Sequence, residues 1–195
     1  MFPATVLRLR RLMVLDLSVL DEVRFDPRAS LPSLFVAVVS LALFGLGGWL
    51  WWWRSGLGDS GEVLYKSVVL GTLTGLALWL LWLLAAYATL ERVLRVPVRV
   101  EELLRAMGLA TAPLALGVLM VVPFVSFGIG LLAVGGWLLA TQVAIERSTP
   151  ASSAQALVAN MAGFAIWVLG MSLLAASDPF APGPFLAESL FEAAG

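Results

Sequence analysis

The charged residues of this chain fall in short clusters, and between them lie four long uncharged runs. The first holds Pro32 to Trp53, 22 residues or about 33 Å of helix, enough for the roughly 30 Å hydrocarbon core of a bilayer. Proline suits the first helical position, where its missing N–H would have had no partner. The run ends in Trp49, Trp51, Trp52 and Trp53, then Arg54. Tryptophan collects at the membrane–water boundary, so this cluster marks one. A second span covers residues 67–90. Between Arg105 and Glu146 lie 40 uncharged residues, too many for one crossing and right for a helical hairpin. Pro123 marks its turn, giving spans near 106–122 and 124–145. The last run, Ser148 to Ser177, starts with Pro150 and the Ser152-Ser153 pair, which predicts a fifth span over 154–176. A four-span arrangement leaves one of these runs unplaced.

Before the first span, residues 5–25 predict one amphipathic helix. At about 100° per residue, Leu9, Leu12, Met13, Leu17, Val19, Leu20 and Val23 share a face. Arg8, Arg10, Arg11, Asp21 and Glu22 gather opposite, while Asp16 and Arg24 intrude on the apolar arc. Such a helix is expected to lie in the membrane interface, its basic start toward anionic lipid. Packing against the protein's own loops is the alternative. Asp26-Pro27 ends it, because proline disfavours α geometry in the residue before it. The short apolar run between Arg11 and Asp16 does not fit a signal peptide. Residues 1–31 thus form an N-terminal amphipathic segment and 32–177 a five-span membrane domain. Residues 178–195, with three prolines and three acids, form an extramembrane tail with little fixed structure.

Composition agrees with a membrane chain. Of 195 residues, 61% are hydrophobic and 13% charged, against about 45–50% and about 25% in soluble domains. The fold class is therefore all-α, a polytopic membrane helix bundle. Orientation follows from the arginines. Residues 1–31 and the loops after spans two and four carry ten: Arg8, Arg10, Arg11, Arg24, Arg28, Arg92, Arg95, Arg99, Arg105 and Arg147. The other side has only Arg54 and Lys66. This bias predicts a cytoplasmic N-terminus and an extracytoplasmic C-terminus.

The chemistry on offer is narrow. With no cysteine and no histidine, thiol chemistry, disulfides, and the commonest general base and metal ligand are excluded. No cofactor is expected. Net charge −1, with no basic block beyond the juxtamembrane stretches, gives no sign of a nucleic-acid partner. Gly56-Leu57-Gly58-Asp59-Ser60-Gly61 fits a dinucleotide-binding pattern literally, but it joins two membrane helices and lacks the βαβ setting. Its Gly-Asp-Ser-Gly portion has no histidine to accept a proton. The polar groups within the spans are Gln142, Gln155 and Asn160, with Thr72, Thr74, Thr111 and Ser126. Two readings stand for them: interhelical hydrogen bonds or a substrate-lining cluster. Gly71 and Gly75 form a G-x-x-x-G, and Ala159 and Gly163 repeat the small-residue spacing. Such faces serve internal packing or homo-oligomer contact. Pro113 should kink span three, with Thr111 able to satisfy a freed carbonyl.

The segment Glu101 to Pro113, Glu-Glu-Leu-Leu-Arg-Ala-Met-Gly-Leu-Ala-Thr-Ala-Pro, resembles the centre of the Yip family, the Ypt/Rab-interacting multi-span membrane proteins. That family has G-Y-x-x-x-P in its third span. Gly108 and Pro113 match it, and Leu109 stands in place of the tyrosine, as in bacterial-type relatives. The likeness runs back to Asp26-Pro27 and forward through Pro123, Trp137 and the Ser152–Leu157 stretch. The family's Asp-Leu-Tyr-Gly-Pro motif before span two is not preserved. Leu64-Tyr65 is a remnant with Lys66 in the glycine position, which puts an inherited contact with a Rab-type GTPase in doubt. The resemblance implies five spans, a cytoplasmic N-terminus and a non-enzymatic, membrane-organising or adaptor role. The bilayer and a cytoplasmic protein are the expected partners, in a bacterial plasma membrane. The N-terminal helix with Arg92, Arg95, Arg99 and Arg105 is the candidate contact surface. The alternative is a small transporter or channel for a neutral or apolar solute, lined by Gln142, Gln155, Asn160 and the threonines.

Overall fold

The computed structural model describes residues 2–13, 16–56 and 60–175. The expected 178–195 tail and the Leu57–Asp59 part of the glycine loop lie outside them. Among the described residues eight α-helices follow one another: α1 Phe2–Met13, α2 Ser18–Phe25, α3 Ser30–Ser55, α4 Ser60–Leu64, α5 Gly71–Ala88, α6 Val100–Ala110, α7 Ser126–Ser148 and α8 Ser153–Ala175. Short π-helical turns at Tyr65–Leu70 and Thr89–Val93 extend α5 in both directions. Among the described residues five continuous helical units are long and apolar enough to cross a membrane: Pro27–Ser55, Gly61–Val93, Val100–Val121, Ser126–Ser148 and Ser153–Leu174. The protein is an all-α bundle and an integral membrane protein. Most exposed large side chains are apolar residues along these helices, such as Phe35, Leu73, Leu84, Leu132, Leu139 and Leu169, the surface a lipid solvent favours.

Span three departs most from a plain helix. Seventeen α-helical residues over 106–122 would reach only about 26 Å, short of the roughly 30 Å core. The unit instead begins at Val100 and changes at Ala112 into a 3₁₀ helix that runs to Val121. At about 2.0 Å per residue that stretch covers more depth than an α-helix would. Pro113 explains the change, since it has no N–H and its ring would clash with the carbonyl four residues back. The Thr111 hydroxyl donates to the Gly108 carbonyl oxygen at 2.7 Å. The carbonyl that loses its partner to Pro113 is that of Leu109, four residues back, so Thr111 serves its neighbour and not the freed group.

Close backbone approach holds this segment against α3 and α7. A side chain at Gly108 would press on the Ser33 carbonyl oxygen at 2.9 Å, and one at Gly136 would meet Pro113 Cβ at 3.2 Å. Gly71 and Gly75 are looser. The nearest atom to a Cβ at Gly71 is the Lys66 carbonyl oxygen at 3.4 Å, on its own helical unit, and at Gly75 it is the flexible end of Leu41 at 3.1 Å.

The single helix expected over residues 5–25 is two helices. Asp16 breaks it: its Oδ1 accepts from the Ser18 backbone N–H at 3.2 Å and from the Ser18 hydroxyl, and its Oδ2 accepts from Arg11 Nε at 2.8 Å. Such local side-chain bonding competes with helix continuation. The apolar face of α2 packs on the protein itself. Val19, Leu20 and Val23 are buried to 0–1% exposure in the main core, with α2 seated on α6 and α7. On α1, Leu9 and Leu12 pack against that core, while Val6, Leu7 and Arg10 stay exposed.

Candidate functional site

Two places gather the polar side chains. The first lies between α5, α7 and α8. Gln142 stands one turn before Glu146 on α7 and donates from Nε2 to Glu146 Oε1 at 2.9 Å. Asn160 of α8, 1% exposed, donates from Nδ2 to Gln142 Oε1 and to the Leu138 carbonyl oxygen, both at 3.2 Å. A polar ladder thus runs from the end of α7 into the bundle. Of the three polar residues expected to cluster, Gln142 and Asn160 meet. Gln155 does not join them: its Oε1 accepts from the Ser152 backbone N–H at 3.0 Å and its own N–H donates to Ser152 Oγ at 3.3 Å. That reciprocal pair is a capping box at the start of α8.

Beyond Asn160 the ladder meets an aromatic cluster. Trp82 of α5 lies 4.7 Å from Trp137 of α7 and 5.2 Å from Phe164 of α8, ring centroid to centroid. Trp137 meets Trp167 edge-on at 5.2 Å, and Phe164 stacks on Trp167 at 6.0 Å. Gly163 makes the approach of Trp82 possible, because a Cβ there would press on the Trp82 carbonyl oxygen at 2.6 Å. The indole N–H groups of Trp79, Trp82, Trp137 and Trp167, the Thr141 hydroxyl and Asn160 Oδ1 are buried with no hydrogen-bond partner among the described residues. An unpaired buried polar group costs about 1–3 kcal/mol. Six of them weigh heavily against a whole-fold stability of about 5–15 kcal/mol.

Sequence reasoning missed this cluster. Tryptophan was read as a boundary marker at residues 49–53, and that reading suits Trp49 and Trp53, which stack at 6.4 Å in the last turns of α3. The available signal was depth: Trp79, Trp82, Trp137 and Trp167 fall well inside their spans, where an interfacial residue is out of place.

The second place is the arginine-rich end. Arg24 donates from Nη1 to the Arg147 carbonyl oxygen at 2.6 Å, placing a cation on the last turn of α7. Arg105 donates from Nη1 to the Arg24 carbonyl oxygen at 2.6 Å and from Nε to Ser30 Oγ at 2.9 Å. Arg147 pairs with Asp21 in the first turn of α2 at 3.1 Å. Arg24 and Arg105, on carbonyls in the last turns of α7 and α2, and Asp21, in a first turn, suit the helix ends they meet. Arg8 pairs with Asp26 at 2.8 Å and folds α1 back toward α2. That bond, with the Arg28 backbone N–H behind it, holds the Asp26 carboxyl below its ordinary range.

The four arginines expected to form one contact surface therefore divide. Arg92 and Arg95 are exposed and have no partner among the described residues, and Arg95 adopts a left-handed backbone with φ of 56°. The Arg99 side chain is 82% exposed, 3.9 Å from Glu102. Arg105 is committed to the interior of the end cap. No match was found for this chain among protein-family models, curated proteins or solved structures.

Proposed function

We propose that this chain is a non-catalytic membrane-organising or adaptor protein, of the kind the Yip resemblance implies, and that it works through its arginine-rich end. By the arginine bias that end is cytoplasmic. The observation that carries the reading is the division of its arginines. Arg8, Arg11, Arg24, Arg105 and Arg147 are engaged in holding the cap together. Arg92, in the last turn of span two, and Arg95 and Arg99, on the short connection that follows, stand exposed. A cap in which five arginines are spent on internal bonds, beside a loop whose arginines are open, suits recognition of an acidic protein surface at the membrane.

The test is photo-crosslinking capture from native membranes, comparing the full chain with a triple Arg92→Gln, Arg95→Gln, Arg99→Gln variant. The reading expects a captured cytoplasmic protein whose yield falls at least tenfold in the variant while thermal unfolding stays unchanged. Equal capture by both proteins contradicts it.

Passage of a small neutral solute is the second reading, favoured by the Glu146–Gln142–Asn160 ladder. Osmotic swelling of proteoliposomes tests it, with solute-dependent swelling above that of protein-free vesicles as the expected sign. The aromatic packing beyond Asn160 weighs against it.

A further inference from the structure

We propose that α5, α7 and α8 enclose an internal water site at mid-depth, bounded by Trp82, Trp137, Thr141, Asn160 and Trp167. The groups are contiguous. The rings of Trp82, Trp137, Phe164 and Trp167 touch. Thr141 lies one turn beyond Trp137, and Asn160 one turn before Phe164. Each of the five bounding residues is at most 3% exposed, and each carries a polar atom with no partner among the described residues.

Chemistry selects the guest. An indole N–H only donates, a threonine hydroxyl does both, and Asn160 Oδ1 accepts with two lone pairs. The guest must take several donors and return a proton to Asn160, which is what a hydroxyl does. An anion would have no cationic side chain beside it among the described residues lining the cluster, and a cation would find two acceptor atoms, Thr141 Oγ1 and Asn160 Oδ1, set against three indole donors. Size selects further. Rings 4.7–6.0 Å apart are in contact and hold nothing between them, so the guest sits at their edges, where the N–H groups lie, and is small. Buried water commonly makes about three hydrogen bonds to such otherwise unpaired groups. The edge-on Trp137–Trp167 contact can place one N–H over a ring, which leaves the other donors unserved. Gln142 joins the site to Glu146 and the arginine-rich end, so the ladder described above continues into solvent held inside the bundle.

The experiment uses the full chain with ¹⁵N-labelled tryptophan in deuterated lauryldimethylamine oxide, a detergent without a hydroxyl. Cross-relaxation from each indole proton to water is measured. The site predicts water cross-peaks at Trp82 and Trp137 that survive long mixing times. Thr141→Val, close in shape, and Asn160→Leu should each at least halve one of them. Indole protons that relax only to aromatic ring protons overturn the proposal. Water cross-peaks that both variants leave unchanged overturn it as well, because the water would then lie elsewhere.

Discussion

Gly47 of α3 faces Gly117 of the 3₁₀ stretch so closely that a methyl group on Gly47 would overlap the Gly117 carbonyl oxygen and stand 3.0 Å from Val118 Cα. Two backbones touch where both residues lack a side chain, which is how helices associate closely in lipid. Gly47→Ala should therefore destabilise the bundle by about 1–3 kcal/mol, the usual cost of overpacking. Gly135, with open space where its Cβ would be, is the control. Gly135→Ala should be neutral or stabilising by up to about 1 kcal/mol through helix propensity. Unfolding of the two variants in mixed micelles compares them directly.

Arg105 and Arg92 make a second contrast. Arg105→Gln loses two charge-assisted bonds, to Ser30 Oγ and to the Arg24 carbonyl oxygen, at about 1.5–3 kcal/mol each at most. The expected outcome is faster proteolysis within residues 14–17 as the end cap loosens. Arg92→Gln, at an exposed residue, should stay within about 0.5 kcal/mol of the parent.

Acid should loosen the same cap. The hydrogen bond from Arg8 lowers the Asp26 carboxyl, and the bonds from Ser18 and then Arg11 lower that of Asp16. A group depressed in the folded state stabilises it above the unfolded value of about 4, and that contribution is lost as pH falls through the folded value. Docking of α1 should hold from neutral pH to about 4 and weaken below it. Asp26→Asn should remove part of this dependence. Proteolysis by an acid-active protease across this range reports it.

Removing Trp82 should do more damage than removing Asn160. Trp82 is fully buried between α7 and α8, so Trp82→Ala should cost about 3–5 kcal/mol. Asn160→Ala gives up interhelical bonds averaging about 0.6 kcal/mol in lipid. Denaturant unfolding of both variants checks the order.

The five spans were legible because lipid imposes a simple rule, about twenty uncharged residues per crossing. Charges at their ends blurred the limits: Glu101, Glu102 and Arg105 lie on the helix that becomes span three, below its apolar part. Gly108 and Pro113 were visible as punctuation: both touch neighbouring helices, and Pro113 stands where the span turns into a 3₁₀ helix. Asp16 and Arg24, the two charges that spoiled the apolar arc of the N-terminal helix, were signals read as noise. The first breaks the helix and the second reaches across 123 positions to the Arg147 carbonyl. The tryptophan cluster was hidden for another reason. Its members come from three helices, and nothing in any one helix tells which face meets the others.

The most direct test of the account is the side on which the arginine-rich end lies. The chain has no cysteine, so single substitutions Arg95→Cys and Glu62→Cys can be probed in intact cells with a membrane-impermeant maleimide. Both parent residues are exposed, at opposite ends of the bundle. The account predicts that the cysteine at 62 reacts at once and the one at 95 only after permeabilisation. Labelling at 95 in intact cells, or equal labelling at both, would contradict a cytoplasmic working face.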